Sequence, residues 1–225
     1  MSDLFDPQGH RLYLTAAERS AFLAAAAKAP REVRSFCEVL HFTGCRISEA
    51  LALTVKRIDL DGQALVFETL KKRRAGVYRA VPVPPRLLDT LDLVHGVREA
   101  RKGRGDPPIW EWSRTTAWRR VKAVMEAAGI EGPHATPKGL RHGYGVAAIS
   151  AAVPLNLLSK WMGHAAIETT AIYANGLIED RRKRRRQDVR YDTGCETADG
   201  WPFPMSGAAT SRTAARSSIS RSWMT

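Results

Sequence analysis

The sequence predicts a mainly α-helical protein carrying one small antiparallel β-sheet, an α+β arrangement. Two observations carry that prediction. Segments with helical spacing of apolar residues, bounded by capping residues, prolines and glycines, recur along most of the chain. Between Ile58 and Pro84 the period switches to extended segments around a basic turn. No internal repeat is present.

The first helix is expected in LTAAERSAFLAAAAKAP, where Thr15 and Glu18 have capping-box spacing and Pro30 closes the segment. REVRSFCEVLHFTG places Val33, Phe36, Cys37 and Leu40 on one face and stops at Gly44. CRISEALAL reads as a short third helix. IDLDGQALVFETL and YRAVPVP read as strands around the turn KKRRAG. Helices resume in PRLLDTLDLVHGVREARK and, after the loop KGRGDPP, in SRTTAWRRVKAVMEAAGI, which ends at Gly129. The Arg104-Gly105-Asp106 triplet in that loop is taken as coincidental. In TPKGLRHGYGVAAISAA, Thr136 is an N-cap and Pro137 occupies the first helical position, where its missing N–H costs nothing. VPLNLLSKWMGH and ETTAIYANG are two further short helices. Trp110, Trp112 and Trp118 are expected in the core.

Composition narrows the function. In 225 residues, 35 basic against 23 acidic side chains leave a net charge of +12, which favours polyanionic partners. Arg181 to Arg190 contribute seven basic residues and one acid, half of that surplus. No run approaches the roughly 18 to 20 apolar residues of a membrane span, and no secretory signal pattern opens the chain. The three cysteines form no CxxC pair, which fits a reducing, cytoplasmic setting. There is no phosphate-binding GxxxxGK[ST] loop, no GxSxG elbow, no HExxH and no zinc-type Cys/His spacing. His41 and Cys45 alone are weak metal candidates. No metal or cofactor is therefore expected, and phosphate chemistry would run on cations.

Three stretches remain: TGCRISEALAL (Thr43 to Leu53), TPKGLRHGYGV (Thr136 to Val146) and MGHAAIETTAIYANG (Met162 to Gly176). In order and internal spacing they resemble the catalytic domain of tyrosine recombinases, the phage integrase family. That pattern has an arginine in a TGxRxSE turn, an HxxR pair followed by a histidine, and GHxxxxTTxxY ending in a nucleophilic tyrosine. The resemblance runs from about Leu14 to Gly176.

The chemistry of these residue types suits such a reaction. Arginine presents a fixed fork of donors and keeps its charge, so it can hold two phosphoryl oxygens at once. The resemblance implies that Arg46 and Arg141 clamp the non-bridging oxygens and that Glu49 orients Arg46. It also implies that His164 hydrogen-bonds a phosphoryl oxygen and that Tyr173 attacks phosphorus, forming a 3′-phosphotyrosine bond without metal or ATP. Lys138 stands where the family most often has the first histidine of HxxR. It can donate to a phosphoryl oxygen but cannot act as an imidazole base. The acid for the leaving 5′-oxygen would be a lysine of the hairpin turn, Lys71 or its rival Lys72. His142 is read as a packing or supporting residue. Arg73, Arg74, Arg79, Arg114, Arg119, Arg120, Lys72 and Lys122 are candidate phosphate contacts.

The expected organisation is a catalytic domain over residues 1–190, ordered from about residue 10, and a disordered tail over 191–225 rich in Ser, Ala, Thr and Gly. About 14 residues precede the first helix, so the family's N-terminal core-binding domain is expected to be absent. The implied function is site-specific recombination on double-stranded DNA, with other recombinase protomers as partners. The setting is the prokaryotic cytoplasm and nucleoid, with no membrane and no small-molecule substrate. The alternative is a truncated, non-catalytic DNA-binding remnant or regulator of a full-length recombinase.

Overall fold

A computed structural model describes residues 4–69 and 76–174. Its elements follow the order α1 (Ala16–Lys28), α2 (Arg31–Thr43), α3 (Ile47–Leu51), β1 (Ile58–Asp59), β2 (Ala64–Glu68), β3 (Tyr78–Pro82), α4 (Pro85–His95), α5 (Val97–Ala100), α6 (Arg114–Ala127), α7 (Pro137–Ser150) and α8 (Leu155–Met162). Residues 168–174 are also helical. The fold is mainly α with a three-stranded antiparallel sheet in the order β1-β2-β3. Lys71, Lys72, Arg73, Arg74 and the 191–225 tail lie outside the described residues.

Local chemistry accounts for most boundaries. Thr15 caps α1 by accepting from the Glu18 backbone N–H, while the Glu18 carboxylate accepts from the Thr15 N–H at 2.8 Å. Gly44, Gly96 and Gly163 end α2, α4 and α8 in the left-handed conformation that glycine adopts without a Cβ penalty. Gly96 also splits the segment expected as one helix into α4 and α5. The stretch IDLDGQALVFETL likewise yields two strands, because Asp59 Oδ1 accepts from the Gly62 N–H and Gln63 takes a positive φ, folding a turn between them.

α2 lies at the centre of the main core and is buried from Ser35 to Thr43. Leu65, Phe67 and Val81 of the sheet join Phe36, Leu40, Leu87, Leu91, Val121 and Leu140 in that core. A second apolar cluster combines Leu4, Tyr13, Tyr144, Leu158, Met162 and Tyr173. The bridge Phe5 to Arg11 folds the amino-terminal segment back on itself, and Leu4 and Tyr13 lie in this cluster. Trp110 is buried, but Trp118 is 45% exposed, which corrects its expected place in the core. Asp106 accepts from Thr54 Oγ1 and from the Lys56 N–H, both at 2.9 Å, so it ties its loop to the chain before β1. No helix among the described residues is long and apolar enough to cross a membrane.

α7 contains three glycines, normally a cost of about 1 kcal/mol each in a helix interior. Each marks a close approach: a Cβ on Gly139 would overlap the His134 carbonyl oxygen, one on Gly143 would lie 2.6 Å from Leu14 O, and one on Gly145 would lie 2.6 Å from the Tyr173 ring. Gly139→Ala should therefore destabilise the protein by on the order of 3 kcal/mol, opposite in sign to the helix-propensity gain. Urea unfolding of the two proteins measures it; equal or greater stability in the variant would show that the 134–136 turn yields freely.

Candidate active site

The site forms where the carboxyl end of α2, the start of α3, the face of α7 and the carboxyl end of α8 converge. Thr43 Oγ1 donates to Val39 O at 2.6 Å and accepts from the Cys45 N–H at 3.2 Å, closing the turn that delivers Arg46. Glu49, in the first turn of α3, accepts from the Arg46 backbone N–H at 2.9 Å and from Arg46 Nη1 at 2.7 Å. Its second oxygen also accepts from Arg79 Nη2 at 2.6 Å. Glu49 is 1% exposed. Burial by itself would raise its pKa, but the charge and hydrogen bond of Arg79, with the backbone and charge of Arg46, hold it below the ordinary value of 4.5.

Arg79, expected to contact phosphate, is instead turned inward. Besides Glu49, its Nε donates to Trp161 O at 2.8 Å and its Nη1 to Thr69 Oγ1 at 3.1 Å. Strand alternation places it on the same face as the buried Val81, a signal the sequence already contained.

Arg141 is buried in α7 and holds the carboxyl ends of α2 and α8 together. Nη1 donates to Gly44 O at 2.6 Å, and Nη2 donates to Met162 O at 2.6 Å. Nη2 also lies 3.0 Å from His164 Nε2. Burial, with repulsion from Arg46, lowers its pKa to about 10, which leaves it charged at neutral pH. An arginine N–H can only donate, so His164 Nε2 accepts and its proton sits on Nδ1, 2.8 Å from Thr170 Oγ1. Burial and the charges of Arg141 and Arg46 push the His164 pKa down to about 3, so the ring is neutral.

Tyr173 is 1% exposed. Its ring stacks on His164 with centroids 6.2 Å apart, and its hydroxyl lies 3.2 Å from His142 Nδ1. Burial raises the phenol pKa to about 12, opposed by Arg141 and Arg46. The structure thus gathers Arg46, Glu49, Arg141, His164 and Tyr173, residues separated by up to 127 positions, into one cluster. His142 and Thr170 are members that sequence reasoning did not assign a direct contact. Beside the cluster, Thr69, Arg79, Lys160, Gly163 and His164 line a cleft of about 400 Å³. A larger cleft of about 700 Å³, lined in part by Glu32, Val33, Arg120 and Val124, contains none of these site residues.

The other candidate cations lie outside this cluster. Lys138 is exposed at the start of α7, one turn before His142. Arg119 is exposed on α6; Arg120 sits 3.8 Å over the Trp112 ring and 3.9 Å from Glu32. Lys122 donates to Ala135 O at 2.9 Å.

Comparison with known proteins points one way. The sequence model of the Phage integrase family matches residues 13–179. Tyrosine recombinase XerD of Mycobacterium tuberculosis is 33% identical over 149 residues, covering 62% of this chain and 46% of XerD. XerD of Vibrio vulnificus is 29% identical over 160 residues, covering 67% of this chain and 51% of that protein. This chain thus spans about half the length of the curated relatives it matches. Among solved structures, the XerH site-specific recombinase in a post-cleavage complex with palindromic difH superimposes with a TM-score of 0.65 at 21% identity, covering 84% of this chain and 56% of XerH. XerA recombinase gives 0.63 at 20% identity, covering 77% and 65%. At those identities the structural likeness establishes the fold.

Proposed function

This chain belongs to the phage integrase family, and from that premise we propose that it cuts and rejoins DNA strands at specific sites, with Tyr173 as the nucleophile. The observation that carries the reading is the convergence of Arg46, Arg141 and neutral His164 on the Tyr173 phenol.

Strand cleavage without a free-energy carrier follows from covalent storage. The Tyr173 oxygen attacks phosphorus, the bond to the 5′-oxygen breaks, and the new phosphotyrosine preserves the phosphodiester for a later attack by a 5′-hydroxyl. Negative charge on the non-bridging oxygens grows in the transition state, and Arg46 and Arg141 are fixed in advance where it grows. Preorganised cations of this kind each contribute on the order of 3 kcal/mol. Arg46 is held by Glu49 and Arg141 by two backbone carbonyls, so neither needs to reorganise during the reaction. The cleft beside His164 and Lys160 is the approach for the phosphate. Lys138, exposed at the start of α7, is proposed as a further donor, and the hairpin-turn lysines, Lys71 or Lys72, remain the proposed acid. Because Tyr173 is 1% exposed, productive DNA binding has to uncover the phenol oxygen.

The partners follow from the same chemistry: double-stranded DNA and other recombinase protomers. One solved relative in fold is a lambda integrase tetramer bound to a Holliday junction, at a TM-score of 0.53 and 22% identity.

The test is a nicked duplex that traps the cleaved state. Wild-type protein should give a covalent protein–DNA adduct, and Tyr173→Phe none, with duplex affinity unchanged. Binding by the wild type with no adduct on a duplex carrying its site would favour the DNA-occupying remnant instead.

A further inference from the structure

The phenol must lose a proton as it attacks, and most of the groups around it cannot take one. Arg46 and Arg141 are donors only, and Lys138 is an ammonium in the position where the family most often has an imidazole. His164 has both nitrogens engaged, Nε2 with Arg141 and Nδ1 with Thr170, and it meets the phenol through ring stacking. His142 is different. It follows Arg141 on α7, is 4% exposed, and places Nδ1 3.2 Å from the Tyr173 hydroxyl, with ring centroids 5.8 Å apart. The contact is built into the helix: Gly145, three residues further along, leaves the space that the Tyr173 ring fills.

Resting on the reading of Tyr173 as nucleophile, the geometry points to His142 as the base that takes the phenol proton during cleavage and returns it on resealing. In this role His142 carries its own proton on Nε2 and accepts through Nδ1. As the Tyr173 oxygen bonds to phosphorus, its proton passes to Nδ1, giving an imidazolium. The bond to the 5′-oxygen breaks, and that oxygen takes a proton from a separate acid. Resealing reverses both transfers, so the cycle consumes no proton.

The charges facing His142 keep it in the accepting form. Burial, then Lys138 one turn earlier on α7 and Arg141 beside it, push its pKa down to about 4, while Tyr173 faces it from the 168–174 helix. A weak base suffices here. The phenol proton is held tightly before attack but becomes strongly acidic once the oxygen bonds to phosphorus, so an intermediate base accepts it in transit. A phosphodiester arriving among Lys138, Arg46 and Arg141 also offsets the positive charge that disfavours the imidazolium.

The test measures adduct formation on a nicked duplex whose scissile 5′-oxygen is replaced by sulfur, a leaving group that needs no acid. His142→Ala should slow this reaction by about 10²- to 10⁴-fold. Its rate should climb about tenfold per pH unit as hydroxide ionises the phenol, whereas the wild-type rate should stay flat from about pH 6 to 9. Substituting the leaving-group acid, by contrast, should be rescued by sulfur. A His142→Ala rate within twofold of wild type, with the same pH profile, overturns the assignment. So does ¹⁵N resonance of the full chain showing the His142 proton on Nδ1, a measurement independent of how well the variant folds. Failure of the wild type itself to form adduct would overturn both this assignment and the proposed function; loss of the His142 effect alone overturns only the former.

Discussion

Arg141→Lys is expected to slow covalent adduct formation by about 10²- to 10³-fold, the usual effect of removing one transition-state donor. The charge would survive, but the geometry would not. Arg141 reaches Gly44 O, Met162 O and His164 Nε2 with one planar fork. A lysine ammonium is a point donor on a flexible stem and cannot hold the three partners together while facing a phosphate. The defect should lie in the rate at saturating DNA, with duplex affinity changed little. Arg141→Ala separates the two contributions. It would leave two buried carbonyls without their donor, at about 1–3 kcal/mol each, and so lower stability as well as rate. Single-turnover kinetics and urea unfolding on the two variants decide the matter. A lysine variant with the wild-type rate would mean that the charge alone is sufficient.

Glu49→Gln should destabilise the protein by about 3–5 kcal/mol, because removing one partner of a buried pair strands the other. Glu49 receives Arg46 at 2.7 Å and Arg79 at 2.6 Å, and its side chain is inaccessible while that of Arg79 is 7% exposed. The glutamine keeps the volume and loses the charge, so two cations would face each other across a neutral amide. The same group gives a direction for acid sensitivity. The folded-state pKa lies below the ordinary 4.5, so its stabilisation is complete above that value. It is lost as pH falls through the folded-state value. Unfolding midpoints measured from pH 7 down to pH 3 should converge for wild type and Glu49→Gln; a constant gap across that range would show that the carboxylate charge is not what stabilises the site.

Much of the secondary structure was legible because its signals are local. Thr15 with Glu18, Pro30, Gly44, Thr136 with Pro137, and Gly163 each act within a turn of themselves, so they mark boundaries in the sequence as they do in the structure. The errors arose where a turn was hidden inside an apolar run. Gln63 and Gly96 divide segments whose periodicity alone suggested continuity. Trp118 shows the opposite failure, since an aromatic residue on an amphipathic helix carries no mark of which face it occupies.

The site divides in the same way. The order and spacing of Arg46, Glu49, Arg141, His164 and Tyr173 were present in three short motifs, and the Arg46–Glu49 pair spans one helical turn. The inward turn of Arg79 was encoded by alternation with Val81, but a basic residue near a basic hairpin read first as a surface group. The bond between His142 and Tyr173 was not legible, since 31 residues separate them and their meeting depends on how α7 packs against the 168–174 helix. By itself, the sequence determined the family, the fold class and the candidate site residues, because residue type and short-range spacing fix those. Only the tertiary structure decided the hydrogen-bond partners of the histidines and the buried charge pairs. A tautomer or an ion pair depends on which distant chain segment supplies the second partner, and burial sets how strongly each pair is held.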